Sequence, residues 1–149
     1  MAQTTTYTGG TNFYFAVSVD GSSWTDCSGT ATMVEVTESN RMTGTAYTGD
    51  GDKAVITYGK LEPVEVTVTL LYTKTSGEGY DRLRDAFEAT GGTRLDCRFA
   101  PEGNSSGNEQ WTSGSSKVVS LGYPSPDAGD AAPKTVTGKW LCYLTPSTI

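Results

Sequence analysis

The chain has 149 residues, of which 36% are hydrophobic and 18 are glycine, and this is enough for one domain with a sizeable core and long loops. Its formal net charge of −6 at pH 7 argues against a nucleic-acid-binding surface, because such surfaces neutralise phosphates with Lys and Arg. The sequence contains no histidine, which excludes Ser-His-Asp and Cys-His catalysis and the common zinc sites. We therefore expect a protein that is not an enzyme and that uses no cofactor or metal ion.

Targeting signals and cysteines indicate where the chain is made. The opening residues carry no positive charge, and the first apolar run, 13–17, is too short for a signal peptide. No segment approaches the roughly 20 apolar residues that span a bilayer, so we expect a soluble chain without membrane contact. Cys27, Cys97 and Cys142 lack zinc or redox spacing. We expect free thiols in a reducing compartment, with Cys97 and Cys142 buried; a disulfide is the alternative.

The first third of the chain predicts an arm and two strands. Residues 1–11 are rich in Thr and Gly, and we expect an arm that becomes ordered only on a partner. Residues 12–19 alternate as a half-buried strand with four inward side chains, and an Asp-Gly turn lets 22–27 return as a hairpin. Residues 30–38 predict the next strand. The four inward side chains are Phe13, Phe15, Val17 and Val19.

A long polar segment follows, at 39–52. It is rich in glycine, and we predict a loop with no element of its own before strand character resumes at 53–58. Loops of this length in a compact domain are usually functional or disordered. We therefore expect 39–52 to reach another subunit.

The clearest predicted strand is 63–72. Every second residue from Val64 to Tyr72 is apolar, whereas Glu65, Thr67 and Thr69 form a polar face. This pattern predicts that one face meets the core and that the other meets water or a lumen.

One helix is predicted, at 76–90. Thr75 begins a Thr-Ser-Gly-Glu capping box and is the expected N-cap, and two glycines at 91–92 end the helix. Glu78/Arg82 and Arg84/Glu88 are expected ion pairs. The residues expected to pack the helix on the core are Tyr80, Leu83 and Phe87.

The rest of the chain reads as strands and loops. In the strand at 93–99, Leu95, Cys97 and Phe99 are expected inward, and Arg94, Asp96 and Arg98 outward. A loop at 101–116, strands at 117–123 and 135–144, and a C-terminal tail at 145–149 complete the prediction. With six or seven strands, the expected fold is mainly β: a single domain at 12–144, built as an antiparallel β-sandwich or open barrel with one α-helix packed on its side.

The order of these features resembles a known family. An Asp-Gly turn runs into Ser-Trp-Thr-Asp-Cys-Ser-Gly, two strands flank a long polar loop, and Leu-Glu-Pro-Val-Glu-Val-Thr-Val-Thr at 61–69 precedes a helix that begins near Gly-Glu-Gly-Tyr and runs to Phe87. This arrangement resembles the major tail tube proteins of long-tailed, siphovirus-like bacteriophages and related gene-transfer particles. The resemblance extends over most of the chain.

The resemblance implies a structural virion protein, made in the host cytoplasm, whose copies form hexameric rings that stack into a hollow tail tube for DNA delivery. The implied partners are other copies of the chain and the terminator, tape measure and distal tail proteins, with DNA only as passing cargo. Candidates for the lumen lining are Glu35, Glu65, Thr67 and Thr69. The positions that match inter-ring and inter-subunit contacts are Ser39, Asn40, Arg41, Met42, Tyr47, Asp50, Asp52, Thr4 and Tyr7.

Two alternatives stay open at this stage. The chain could form another virion ring, such as a tail terminator, a head-tail joining protein or a baseplate protein. It could also be a glycan- or receptor-binding β-sandwich whose contacts are Tyr14, Trp24 and Trp111. The negative net charge is consistent with a channel that repels DNA, and it is equally consistent with a surface charge that only keeps the protein in solution.

Overall fold

A computed structural model describes residues 12–149 of the chain. In this part, eleven strands pair antiparallel and one helix packs beside them, which confirms the mainly β sandwich. The five-stranded sheet has the order β11-β8-β7-β1-β2, the four-stranded sheet the order β3-β6-β10-β9, and β4 pairs with β5. The elements are β1 (Tyr14–Ser18), β2 (Thr25–Asp26), β3 (Ala31–Val36), β4 (Arg41–Ala46), β5 (Val55–Leu61), β6 (Val64–Leu71), α1 (Gly79–Glu88), β7 (Asp96–Ala100), β8 (Glu109–Ser113), β9 (Val118–Leu121), β10 (Thr135–Cys142) and β11 (Leu144–Thr148).

The alternation predicted for β6 is confirmed. Val64, Val66, Val68 and Leu70 are buried, and the residues between them are half-buried. Its neighbour β10 alternates in the same sense and buries Trp140 completely. One face of the four-stranded sheet therefore forms the core, and the other face is free.

Trp140 joins the two sheets. Its indole Nε1 donates a 2.7 Å hydrogen bond to the Leu95 carbonyl oxygen, just before β7. Its ring meets Phe15 of β1 edge to face, with 6.1 Å between the ring centroids. A buried indole N–H needs an acceptor, so this bond fixes how the sheets are placed over each other.

The helix is shorter than predicted, because Gly77 adopts a positive φ of 82° and interrupts the first turn. Thr75 is not the N-cap: Glu78 holds that position without a side-chain capping bond, and the Asp81 carboxylate instead accepts a 2.8 Å bond from the Gly77 N–H. At the other end the glycines at 91–92 adopt positive φ as expected, but the helix has already ended at Glu88.

The two expected ion pairs of the helix do not form. The Arg82 Nε donates to the Gly77 carbonyl at 2.6 Å, and Arg84 pairs with Asp81 at 2.6 Å. The Glu78 carboxylate accepts a hydrogen bond from the Thr73 hydroxyl. Arg82 and Glu78 therefore bond to the segment before the helix, and Arg84 pairs with Asp81 within the helix instead of with Glu88.

The helix covers one side of the inner face of the four-stranded sheet. It lies against β9 and β6, and Leu83 also touches the Gly138 backbone of β10. Tyr80, Leu83 and Ala86 are buried, while Phe87 is half-buried against the core. Within residues 12–149, no helix is long and apolar enough to span a membrane.

Three strands lie where loops or a tail are predicted. Residues 39–52 contain β4, residues 101–116 contain β8, and the expected tail at 145–149 is almost entirely β11. In β8 and β11, Trp111 faces Pro146 across the pair. Both strands are polar, so their pairing with distant segments, rather than local periodicity, makes them strands.

Three side chains also differ from expectation in their burial. Asp96 keeps the strand parity of Arg98 but is buried: its carboxylate accepts a 2.8 Å bond from the Ser116 N–H and bonds from Arg94, and the bond to Asp96 raises the pKa of Arg94. Val19 is 62% exposed, because β1 ends at Ser18 and the chain turns away. Ala16 is buried although it belongs to the opposite face of β1.

Candidate functional site

The β4–β5 hairpin projects from the sandwich. Within the described chain these two strands form a sheet of their own, and all their residues are exposed. The Glu62 N–H donates a 2.8 Å bond to the Asn40 carbonyl oxygen and closes the base of the hairpin, next to β3 and β6. An isolated two-stranded hairpin is marginally stable in water, and in the described residues no further strand pairs with this one.

The hairpin presents large apolar side chains to solvent. Tyr58 is 76% exposed, and Ile56 and Met42 are more than half exposed. The register pairs Tyr58 with Thr43 and Ile56 with Thr45, so both large side chains lie on one face. The other face carries smaller residues, including Gly44 and Ala46. Exposed large apolar side chains on one face make the hairpin the candidate contact surface of the described chain.

Most of the predicted contact residues lie on this hairpin. Ser39 and Asn40 lie at its base, Arg41 and Met42 belong to β4, and Tyr47, Asp50 and Asp52 lie in the connection to β5. Tyr47 is 82% exposed. Thr4 and Tyr7 lie outside the described residues.

Sequence reasoning missed the second strand of the hairpin as a contact element. Val55, Ile56, Tyr58 and Leu61 of β5 are exposed, although 53–58 was expected to be a sandwich strand. The β-branched and aromatic residues of 53–58 correctly indicated a strand, but composition does not tell which surface covers the apolar side chains.

The four predicted lumen residues lie together on the free face of the four-stranded sheet. Glu65, Thr67 and Thr69 alternate with the buried valines of β6, and Glu35 of β3 is the register partner of Thr67. Lys139 of β10, which was not predicted, places its Nζ 3.2 Å from the Glu65 Oε1. An exposed pair of this kind contributes little to stability, but it neutralises one carboxylate of the face.

Threonine hydroxyl groups line much of this free face, and the exposed side chains of Met33 and Leu141, which pair with Thr69 and Glu65, lie among them. Thr137 lies opposite Thr69, and Thr135 lies opposite Leu71 at the end of the sheet. The carboxylates of Glu35 and Glu65 and the ammonium group of Lys139 together give these three residues a net charge of −1. The acidic balance of the chain is therefore not concentrated here.

The four-stranded sheet has two open edges within the described residues, β3 on one side and β9 on the other. All neighbouring strands run antiparallel, so with four strands the two edge strands run in opposite directions. A second copy can therefore continue the sheet by pairing its β3 with β9, and the antiparallel order is kept. Open edges of this kind are templates for pairing with another chain.

The residues considered for glycan contact do not form one platform. Trp24 lies over the Arg98 guanidinium at 4.0 Å, on the same face of the five-stranded sheet as Tyr14. Trp111 stacks on Phe99 at 5.8 Å between ring centroids, on the opposite face. The structure therefore brings two of the three residues to one face and separates the third.

The three thiols differ in their pKa shifts: the hydrogen bond between Cys97 and Cys142 raises the pKa of Cys97 and lowers that of Cys142. Cys27, Cys97 and Cys142 are all buried and free, and burial raises the pKa of Cys27 to about 11. A buried thiol with a raised pKa is a poor nucleophile at neutral pH. In the described part of the chain, no group of three or more Cys, Asp or Glu side chains is placed to hold a metal ion.

Comparison with known proteins shows where this fold occurs. Neither a protein-family model nor a curated protein matches the sequence. Among solved structures, a chain of the tube-terminating cap of the anti-feeding prophage (AFP) matches with a TM-score of 0.73 at 16% identity, covering 100% of this chain and 97% of that one.

Two further matches come from related particles. A chain of the sheath/tube terminator of PVC, an extracellular contractile injection system, matches with a TM-score of 0.73 at 14% identity over 97% of this chain and 99% of that one. A chain of the tail of an empty gene transfer agent particle, with C6 symmetry, matches with a TM-score of 0.66 at 10% identity over 96% of this chain and 99% of that one. The described part of the chain therefore has the fold seen in components of phage-tail-like particles.

Proposed function

We propose that the chain is the repeating subunit of a tail-like tube, in which copies close into six-membered rings and the rings stack. The observation that carries this proposal is the β4–β5 hairpin, whose strands are exposed throughout and carry large apolar side chains. A fold shared with components of contractile injection systems and of a gene transfer agent tail supports it.

Ring closure uses the open edges of the four-stranded sheet. Each copy pairs its β9 with β3 of the next copy, and the even number of strands keeps every pairing antiparallel. A closed ring leaves no free edge in this sheet, which removes the surfaces that promote unwanted pairing. The free face of the sheet, with Glu35, Glu65, Thr67 and Thr69, then lines the lumen.

Stacking uses the hairpin. A contact between two different surfaces of the same chain repeats without closing, and this is how stacked rings extend into a tube. The hairpin, with the residues from Ser39 to Asp52, contacts the next ring and becomes protected from solvent there. The arm at 1–11, with Thr4 and Tyr7, contributes to the same contacts.

In this role the chain acts as a virion or particle tail component rather than as an enzyme. DNA passes through the lumen as cargo, and its phosphates meet a face of hydroxyl groups with almost balanced charge. The tape measure, terminator and distal tail proteins are the further partners.

A second candidate is a single ring that ends a tube. The cap and terminator chains match with a TM-score of 0.73, compared with 0.69 for a chain of the PVC sheath-tube complex. A terminator differs from a tube subunit in one physical respect: its ring-to-ring contact is used once and does not repeat.

Negative-stain microscopy of the purified chain over a range of concentrations distinguishes these proposals. Tubes of variable length with a central hole support the repeating subunit, whereas single rings that never stack support the terminator. A particle that stays monomeric at high concentration in every buffer contradicts both.

A further inference from the structure

The two sides of the sandwich differ. On one side, helix α1 lies over β9 and covers the space between the sheets; we call this side the covered flank. On the other side, no helix of the described chain lies along β3. There the inner face of β3 borders two connected apolar cavities of 280 and 480 Å³, which share Phe99 and Pro101. We call this side the open flank.

Apolar side chains remain exposed on both flanks. Met33 and Val36 of β3 are 44% and 38% exposed beside the cavities, and Trp111 lines the larger cavity. On the covered flank, Val119 of β9 is 54% exposed and Tyr123 is 67% exposed. Each flank therefore leaves apolar surface in water, although only one has a helix.

We propose that the open flank of each copy is covered by the β9 and α1 flank of the next copy around the ring. This inference rests on the proposed ring, because pairing of β9 with the neighbouring β3 carries the helix above β9 to the mouth of the cavities. The occupant is a second copy of this chain. The edge strand β9, which would continue the sheet, and helix α1, which would cover the cavities, both belong to the covered flank.

Charge complementarity supports the same occupant. The register aligns Val36 of β3 with Val66, Val66 with Trp140, and Trp140 with Val118 of β9, so Val36 and Val118 occupy one row of the sheet. Lys117 stands one position beyond Val118.

On β3, Thr37 is one position beyond Val36 at this end of the sheet. Two exposed acidic residues lie near Thr37 in the chain: Glu35 two positions before it and Glu38 one position after it. Lys117 is exposed as well, with its Nζ donating to the Gly91 carbonyl at the end of the helix. A basic group on one flank thus lies at the same end of the sheet as acidic groups on the other flank. Glu38 is two residues after Val36, so its side chain points to the same side as that of Val36, which borders the larger cavity. We therefore assign Glu38 as the partner of Lys117.

A charge swap tests this contact. Lys117→Glu places like charges across each contact between flanks, and we expect half-maximal ring formation to need at least about tenfold more protein, because like charges that face each other across an interface repel. Adding Glu38→Lys to the same chain restores opposite charges and returns assembly toward that of the unchanged protein. Lys74→Glu, the same charge change at an exposed site in the connection between β6 and α1, is the matched control, and circular dichroism verifies folding.

Fluorescence quenching gives a second measurement. In a Trp24→Phe chain, Trp111 is the remaining partly exposed tryptophan, because Trp140 is fully buried. Its quenching by acrylamide should fall at least about twofold on ring formation if the neighbour covers the cavity.

The outcomes separate the two proposals. If the unchanged protein forms rings but Lys117→Glu assembles equally well, or if Glu38→Lys brings no recovery, the flank contact is wrong and the ring stands. Unchanged quenching of Trp111 in rings also contradicts it. If the unchanged protein forms no ring, both proposals fail.

Discussion

At Gly138 the helix meets the backbone of the four-stranded sheet. A Cβ at this position would collide with the Leu83 Cδ2 atom, and Leu83 is itself completely buried. The glycine therefore allows the helix to lie close to β10, although glycine is unfavourable within a strand. Packing outweighs strand propensity at this residue.

Gly138→Ala should destabilise the fold. Because the added methyl group has no free space beside Leu83, we expect a loss of about 1–3 kcal/mol in the free energy of unfolding, measured by urea denaturation. Gly49→Ala is the control, since a Cβ there meets no atom within 4 Å, and it should change stability by less than about 0.5 kcal/mol. Equal stability of the two variants would contradict the close contact.

Asp20 holds the turn after β1. Its carboxylate accepts 2.8 Å bonds from the Ser22 and Ser23 N–H groups and a 2.9 Å bond from the Ser18 hydroxyl. The backbone N–H of Ser23 lowers the pKa of Asp20 most, followed by that of Ser22. The ionised carboxylate is therefore favoured in the folded state.

Asp20→Asn should remove a pH-dependent part of the stability. A folded-state pKa below the unfolded value of about 3.9 stabilises the protein above that pH, and the contribution is lost as the pH falls toward the folded pKa. We expect the melting temperature of the variant to be lower at pH 7 and the difference to shrink as the pH falls below about 4. Melting curves between pH 7 and pH 2 measure this, and a difference that stays constant with pH contradicts it.

At the scale of elements, the hairpin is separable from the sandwich. Its strands pair with each other, and the Asn40 carbonyl and the Glu62 N–H are already bonded at its base. The residues that form the core belong to the sandwich strands, the helix and their flanking segments. Removing the hairpin therefore takes away exposed surface but no buried contact of the core.

Replacing 41–61 by a short Gly-containing turn should leave the sandwich folded and stop tube growth. We expect circular dichroism and the melting temperature to change little, while electron microscopy shows no stacked rings. A variant in which residues 41–61 are kept at the same length but in scrambled order controls for the shortening of the chain. Long tubes from the shortened chain would contradict the role proposed for the hairpin.

At the scale of the whole molecule, the distribution of charge matters more than its sum. The net charge is −6, yet the free face of the four-stranded sheet holds Glu35, Glu65 and Lys139 and is nearly neutral. The acidic excess therefore lies on other surfaces, where it favours solubility. Repulsion of DNA by an acidic lumen, which the composition permits, is not a property of this face.

The sequence alone determined the features that depend on neighbouring residues. The period of two in β6 identified the residues that enter the core, and the apolar stripe of the helix placed Tyr80 and Leu83. The order of these elements also predicted the sandwich, because an alternating strand must bury one face against another layer.

Only the tertiary structure decided which segments pair and which faces stay free. Trp111 pairs with Pro146, and Ser116 bonds the buried Asp96 carboxylate, through contacts between segments that are distant in the chain. The hairpin is likewise a separate element because β4 pairs with β5 and not with a strand of the sandwich. Local periodicity records that a residue is apolar or polar, but burial depends on the segment that comes to lie against it, and this is a property of the folded chain.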